Sequence, residues 1–149
     1  MRASLRSIHP LLLLLIALPT VVAGCGLVQN MIKDMGTVDK SVSAFHEQLN
    51  SADFHGIYAT TDEMFRKVTS QEKFTALLDA VHRKLGNETN ASRGNFHENW
   101  DTNWGKTATV SYTTHFEGGD ASEIFVWRFN GNRLLLLNYT INSDALILK

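Results

Sequence analysis

The hydrophobic period of this chain changes between its two halves, and that change restricts the fold more than any other feature. In the first half, Val38, Val42, Phe45 and Leu49 recur at four, three and four residues, and Phe74, Leu77, Leu78, Val81 and Leu85 form a second stripe of the same kind. Such spacing lines one face of an α-helix. In the second half, Ala108, Val110, Tyr112, Thr114 and Phe116 alternate with Thr107, Thr109, Ser111, Thr113 and His115. That is the two-residue period of a strand with one apolar and one polar face. Helices followed by a run of strands predict an α+β fold whose sheet is an antiparallel meander.

Local signals divide the halves into elements. A helix over 38–50 ends at Asn50-Ser51, and Asp53 is placed to cap a short helix through Tyr58. Thr61 opens the segment 62–67, acidic first and basic last, as the helix dipole prefers. Thr69-Ser70-Gln71-Glu72 has the spacing of a capping box for the clearest helix, and Gly86 suits its C-cap. Strands are expected over 107–117, 122–129 and 134–141. Gly118-Gly119-Asp120 and the strong hairpin pair Asn130-Gly131 separate them. Residues 95–104 form a further strand of irregular spacing, and 144–148 close the chain.

Residues 1–24 read differently. Arg2 and Arg6 precede a pure aliphatic block over 11–16, and no acidic residue occurs before Asp34. The apolar run, broken by Pro10 and Pro19, is too short for a bilayer span of about 20 apolar residues. It leads into Val22-Ala23-Gly24-Cys25, and Cys25 is the single cysteine. The arrangement resembles a bacterial lipoprotein signal peptide with its lipobox. The resemblance implies cleavage before Cys25, lipid on its thiol and an acylated amine, hence firm anchoring, because stable attachment needs two or more acyl chains. It also implies a place in the bacterial envelope, and Gly26 following the cysteine implies the periplasmic face of the outer membrane. The expected organisation is a signal peptide over 1–24, a lipidated cysteine and tether over 25–37, and one α+β domain over 38–149. The tether has no strong period and is expected to be a mobile spacer or a short amphipathic turn on the membrane surface.

Removing 1–24 takes Arg2 and Arg6 and no acid, so the formal charge moves from −1 to −3. Nucleic-acid binders usually show a basic face, and this chain is not expected to be one. With Cys25 lipidated, no thiol remains for a disulfide or a cysteine metal site, so the core alone must hold the fold. The element order resembles the NTF2-like (cystatin-like) superfamily, in which N-terminal helices pack on a curved antiparallel sheet to form a cone. The points of resemblance include Phe45-His46-Glu47-Gln48-Leu49-Asn50, Asp53-Phe54-His55-Gly56-Ile57-Tyr58, the stretch 77–86, Phe125-Val126-Trp127-Arg128 and 137–143. It is similar in particular to small bacterial lipoproteins of that superfamily that carry no established catalytic residues.

The residues offer several candidate sites. His46, His55, His82, His97 and His115 show no metal-ligand spacing, and neither a metal nor a cofactor is expected. Acid–base chemistry of the ketosteroid-isomerase type, known in the superfamily, would need an apposed carboxylate and tyrosine, with Asp79 or Glu123 beside Tyr112 or Tyr139 as the candidates. Tyr112, Phe125, Trp127 and Tyr139 form a candidate apolar pocket, or else an ordinary filled core. Ile124, Val126, Leu134 and Leu136 form a candidate protein-contact face, because strands 122–129 and 134–141 are apolar on both sides. The expected function is a non-enzymatic, membrane-tethered module that binds an envelope protein, a second copy of itself or a small apolar ligand. A small isomerase- or hydrolase-like enzyme is the alternative.

Overall fold

The computed structural model describes the backbone of residues 22–148 and the side chains of 28–147. The segment expected to be a signal peptide lies outside the described residues, apart from its last three backbone positions, and so does the side chain of Cys25. The chain divides into one unit ending at Asp34 and a second from Met35 to Lys149. Four helices come first: α1 (Val22–Asn50), α2 (Phe54–Ala59), α3 (Glu63–Val68) and α4 (Gln71–Leu85). Four strands follow, β1 (Glu88–Asp101), β2 (Gly105–Phe116), β3 (Gly119–Asn130) and β4 (Arg133–Asn142), and a short α5 (Asp144–Leu148) ends the chain. The strands form one curved, open antiparallel sheet in the order β1-β2-β3-β4. The α+β class and the meander are as the change of period predicts.

Several boundaries differ from expectation: β1 ends at Asp101 rather than Trp104, the β2–β3 turn is Glu117-Gly118 rather than Gly118-Gly119-Asp120, and two element starts move further. Helix α1 begins at Val22 rather than Val38, so the stretch 26–37 is helical backbone, although its apolar residues mark no face toward the core. Strand β1 begins at Glu88 rather than Asn95, because irregularities between Glu88 and Asn90 and between Arg93 and Phe96 break its alternation while pairing with β2 continues.

Capping follows the local chemistry. Asp53 accepts from the Gly56 backbone N–H at 2.9 Å and opens α2. Asp62, rather than Thr61, caps α3 and accepts from Met64 N at 2.9 Å. Helix α4 is capped by Ser70, one residue later than a box on Thr69 would require, which places Glu72 in the second helical position. A hydrogen bond from the Ser70 hydroxyl lowers the Glu72 carboxyl below its ordinary range, with the helix backbone adding to the effect. The Gly86 N–H closes the other end on the His82 carbonyl.

The core lies on one face of the sheet. Val38, Val42, Phe45 and Leu49 of α1 and Phe74, Leu78, Val81 and Leu85 of α4 are buried there against Ala108, Val110, Tyr112 and Phe116 of β2 and Phe125 and Trp127 of β3. Both helices thus use the same sheet face. The ring of Phe45 lies 5.1 Å from Phe125 and 4.8 Å from Tyr139, edge-on and tilted, which adds aromatic attraction to apolar burial. Leu77, at the margin of the α4 stripe, is 43 % exposed.

Loops close the edges of the sheet. The α2–α3 loop forms a parallel bridge between Thr61 and Leu136, with Asp62 N donating to Leu136 O at 2.8 Å and Leu136 N to Thr60 O at 3.1 Å. This satisfies backbone groups that the edge strand β4 would otherwise expose. The buried Asp62 also accepts from Arg128 at 2.6 Å, which fixes α3 against the sheet. At the opposite end, Gly118 N donates to Leu85 O at 2.6 Å. A Cβ on Gly118 would lie 2.8 Å from the Lys84 carbonyl oxygen, so the turn needs glycine for this close approach. The β3–β4 hairpin turns through Gly131, at φ +59, and Asn132, between the paired Asn130 and Arg133.

Strand β4 corrects the expected face. Val126 pairs with Asn138 but Trp127 pairs with Leu136, so Leu137 is an extra residue that reverses the phase of the strand. Leu136 is fully buried, and Leu134 packs against the core. Both were expected to share an outward face with Ile124 and Val126. Leu135 and Leu137 take the outer side instead and are half-buried. Four consecutive leucines carry no alternation, so the register of this half-strand is invisible in the sequence.

Candidate functional site

Two strata of polar groups lie between α1 and the β1–β2–β3 face. The deeper one centres on Glu123, which is fully buried although β2 and β3 are apolar on this side apart from Thr114. His46 of α1 reaches its Oε2 through Nε2 at 2.8 Å, and the Thr114 hydroxyl donates to the same oxygen at 2.5 Å. The Tyr139 hydroxyl donates to Oε1 at 2.6 Å. Three donors from α1, β2 and β4 therefore converge on one carboxylate of β3. A buried carboxylate without such partners would cost several kcal/mol. Burial, reinforced by the charge of Glu123 and by their hydrogen bond, pushes the Tyr139 hydroxyl well above the ordinary tyrosine range.

The shallower stratum is an open cleft of about 650 Å³ between α1 and β1–β2. His46 forms part of its wall, joined by Asp39, Lys40, Glu88, Arg93 and Tyr112. The Tyr112 hydroxyl donates to Asp39 Oδ1 at 2.5 Å, and Arg93 Nη1 donates to Asp39 Oδ2 at 2.5 Å. Burial first, then the bond to Asp39 and its charge, raise the Tyr112 hydroxyl above its ordinary range, against the opposing effect of Arg93. Periodicity places these groups: Asp39 and His46 are seven residues apart, two turns along one face of α1.

The sequence-derived candidates distribute as follows. Tyr112, Phe125, Trp127 and Tyr139 do come together, but inside the core, with Phe125 stacked on Trp127 at 6.1 Å. A small cavity of about 110 Å³ adjoins Trp127, whose Nε1 has no hydrogen-bond partner among the described residues. Glu123 and Tyr139 are apposed as the acid–base scheme required, though sealed from solvent. Asp79 is half-exposed and pairs with Arg83 at 2.7 Å, one helical turn away. The histidines do not assemble a metal site: among the described residues no group of three or more His, Cys, Asp or Glu converges as ligands would. Sequence reasoning missed His46 and Asp39. Both point from α1 toward the sheet beside Val42 and Phe45, and a polar residue on an apolar helical face was the available signal.

The arrangement has a definite chemical capacity. The cleft offers donors from Lys40 and Arg93 and acceptors from Asp39 and Glu88 within one enclosure. It suits a small hydrogen-bonding ligand with charges of both signs or neither. Compared with models of known protein families and with curated proteins, the chain matches none. Among the described residues no helix is long and apolar enough to cross a membrane.

Proposed function

We propose that this chain is a lipid-anchored bacterial envelope protein whose domain, built on the NTF2-like cone plan, acts as a non-enzymatic binding module for a small polar ligand. The lipobox-like Val22-Ala23-Gly24-Cys25 supports the address. One observation carries the choice of binding over catalysis: the two carboxylates apposed to a tyrosine, Glu123 and Asp39, are already engaged by the protein's own donors, while Glu47 and Glu88 also line the cleft. Both oxygens of Glu123 are taken by His46, Thr114 and Tyr139, and both of Asp39 by Tyr112 and Arg93. Such groups orient a wall and hold its shape. A general base must instead be free to reach a substrate proton.

The apposition of Asp39 and Tyr112 in an open cleft favours a second reading, a small isomerase- or hydrolase-like enzyme, which would need Asp39 to leave Arg93 when substrate enters. NMR titration of the isotope-labelled protein with a small-molecule extract of the envelope tests the proposal. The expected result is a set of shift changes confined to the cleft and lost in Arg93→Ala, with the ligand recovered unaltered. A ligand recovered as product would establish the enzyme. Shift changes that never involve the cleft would refute the binding module.

A further inference from the structure

The end of the sheet that carries the β1–β2 and β3–β4 turns presents two exposed indoles. Trp100 is 74 % exposed and Trp104 41 % exposed, on either side of the turn 101–103. Trp100 pairs with Lys106 and is in phase with Phe96 and Glu98, which face the core side. Trp104 instead lines a groove on the outer side with Met64, Val68, Val126 and Leu137. One indole therefore lies on each face of the hairpin tip. Val68, 81 % exposed, ends α3 in the same outer groove.

Charges beside the indoles are engaged within the hairpin, while Arg133 on the neighbouring β3–β4 turn is exposed. Asp101 Oδ1 accepts from Asn103 N at 2.7 Å and Trp104 N at 3.1 Å, and Lys106 pairs with Glu98 at 3.1 Å while lying over the Phe129 ring. Tryptophan, with an apolar body and one N–H, concentrates where membrane meets water. Indoles on opposite faces of a tip suit a medium that surrounds the tip, as a bilayer does when entered end-on. A protein docking on one face would leave one of them in water.

The course of the chain points the same way. Helix α1 reaches Glu123 through His46 and then bonds the Glu88 backbone through Asn50, at the far end of the sheet where Glu88 pairs with Phe116. Followed backward from His46 to Met35, the helix therefore runs toward the tryptophan end. The chain enters the domain at Met35, ten positions after Cys25, which is about 15 Å of helix at a rise of about 1.5 Å per residue. In the unit ending at Asp34, exposed Val28, Met31 and Ile32 form an independent apolar stripe at three- and four-residue spacing.

We infer that the Trp100–Trp104 hairpin tip is a lipid-contact element that seats in the bilayer interface of the membrane to which the chain is anchored. The inference rests on the anchoring proposed above. The test uses the full chain purified from membranes and reconstituted in phosphatidylethanolamine–phosphatidylglycerol vesicles with brominated acyl chains, which quench nearby indoles. The expected result is a loss and blue shift of tryptophan emission. In Trp100→Ser/Trp104→Ser, where only the buried Trp127 remains, emission should be insensitive to bromine. Intact mass reports the anchor separately. An acylated chain whose emission is unquenched by bromine and quenched by aqueous iodide overturns the tip contact and leaves the anchor standing. An unacylated chain with bromine-quenched indoles supports the tip contact and overturns the anchor. An unacylated chain with unquenched indoles overturns both.

Discussion

Glu123 shows how a single polar residue can organise an apolar core. It joins α1, β2 and β4 through three short hydrogen bonds, so losing it strands three buried donors. Glu123→Leu should destabilise the domain by about 3–5 kcal/mol, the range for breaking a buried pair from one side. His46→Leu/Glu123→Leu should recover part of that loss, because the stranded imidazole goes with its partner. Denaturant midpoints of the three variants measure the coupling, and a strictly additive double variant would deny it. The pair of raised tyrosines sets an alkaline limit. In the unfolded chain each loses its proton near pH 10, while folded Tyr139 and Tyr112 keep theirs. Unfolding then releases protons, so stability is complete below about pH 10 and falls as pH rises beyond it. Tyr139→Phe should be less stable at neutral pH, since Glu123 Oε1 loses its donor, yet should show a shallower alkaline decline. Thermal melts across that window read both effects, and an unchanged slope would contradict the burial of the hydroxyl. Glu123 itself was legible only as a polar residue among apolar neighbours, because the sequence cannot show that His46, 77 positions away, meets it.

At the scale of elements, β4 carries the sharpest test. The extra residue Leu137 turns Leu136 inward and Leu135 outward. Leu136→Lys should therefore abolish folding, and Leu136→Ala should cost about 2–5 kcal/mol. Leu135→Lys should fold with a much smaller loss. Urea unfolding of the purified variants distinguishes these outcomes, and a tolerated Leu136→Lys would mean that the strand runs without the bulge. The α4 stripe, the alternation of β2, the Asp53 cap and the Asn130-Gly131 turn were legible because each is set by a few neighbouring residues. The β4 phase was not, since Leu134 through Leu137 are chemically identical and the register is imposed by Trp127 and Val126 across the sheet. The start of β1 was hidden for a related reason: two irregularities interrupt a strand whose pairing, rather than its pattern, keeps it extended.

At the scale of the molecule, the change of period was sufficient for the α+β class, and the element order for an antiparallel meander. The cleft was not legible, because it arises where α1 lies across β1 and β2, and no local pattern encodes that crossing. The groups it presents come from widely separated positions, Asp39, Glu88 and Tyr112 among them. The proposed function depends on presenting that cleft from a membrane surface, where the acyl chains proposed on Cys25 would hold the domain. Cys25→Ala should release the protein from the membrane fraction and abolish palmitate labelling wherever the signal is still cleaved. The most direct measurement is the intact mass of the protein extracted from its native membrane. The account predicts a chain beginning at Cys25, heavier than residues 25–149 by a thioether-linked diacylglyceryl group and an amide-linked acyl chain. A chain that retains residues 1–24, or one that begins elsewhere with a free Cys25 thiol, would contradict it.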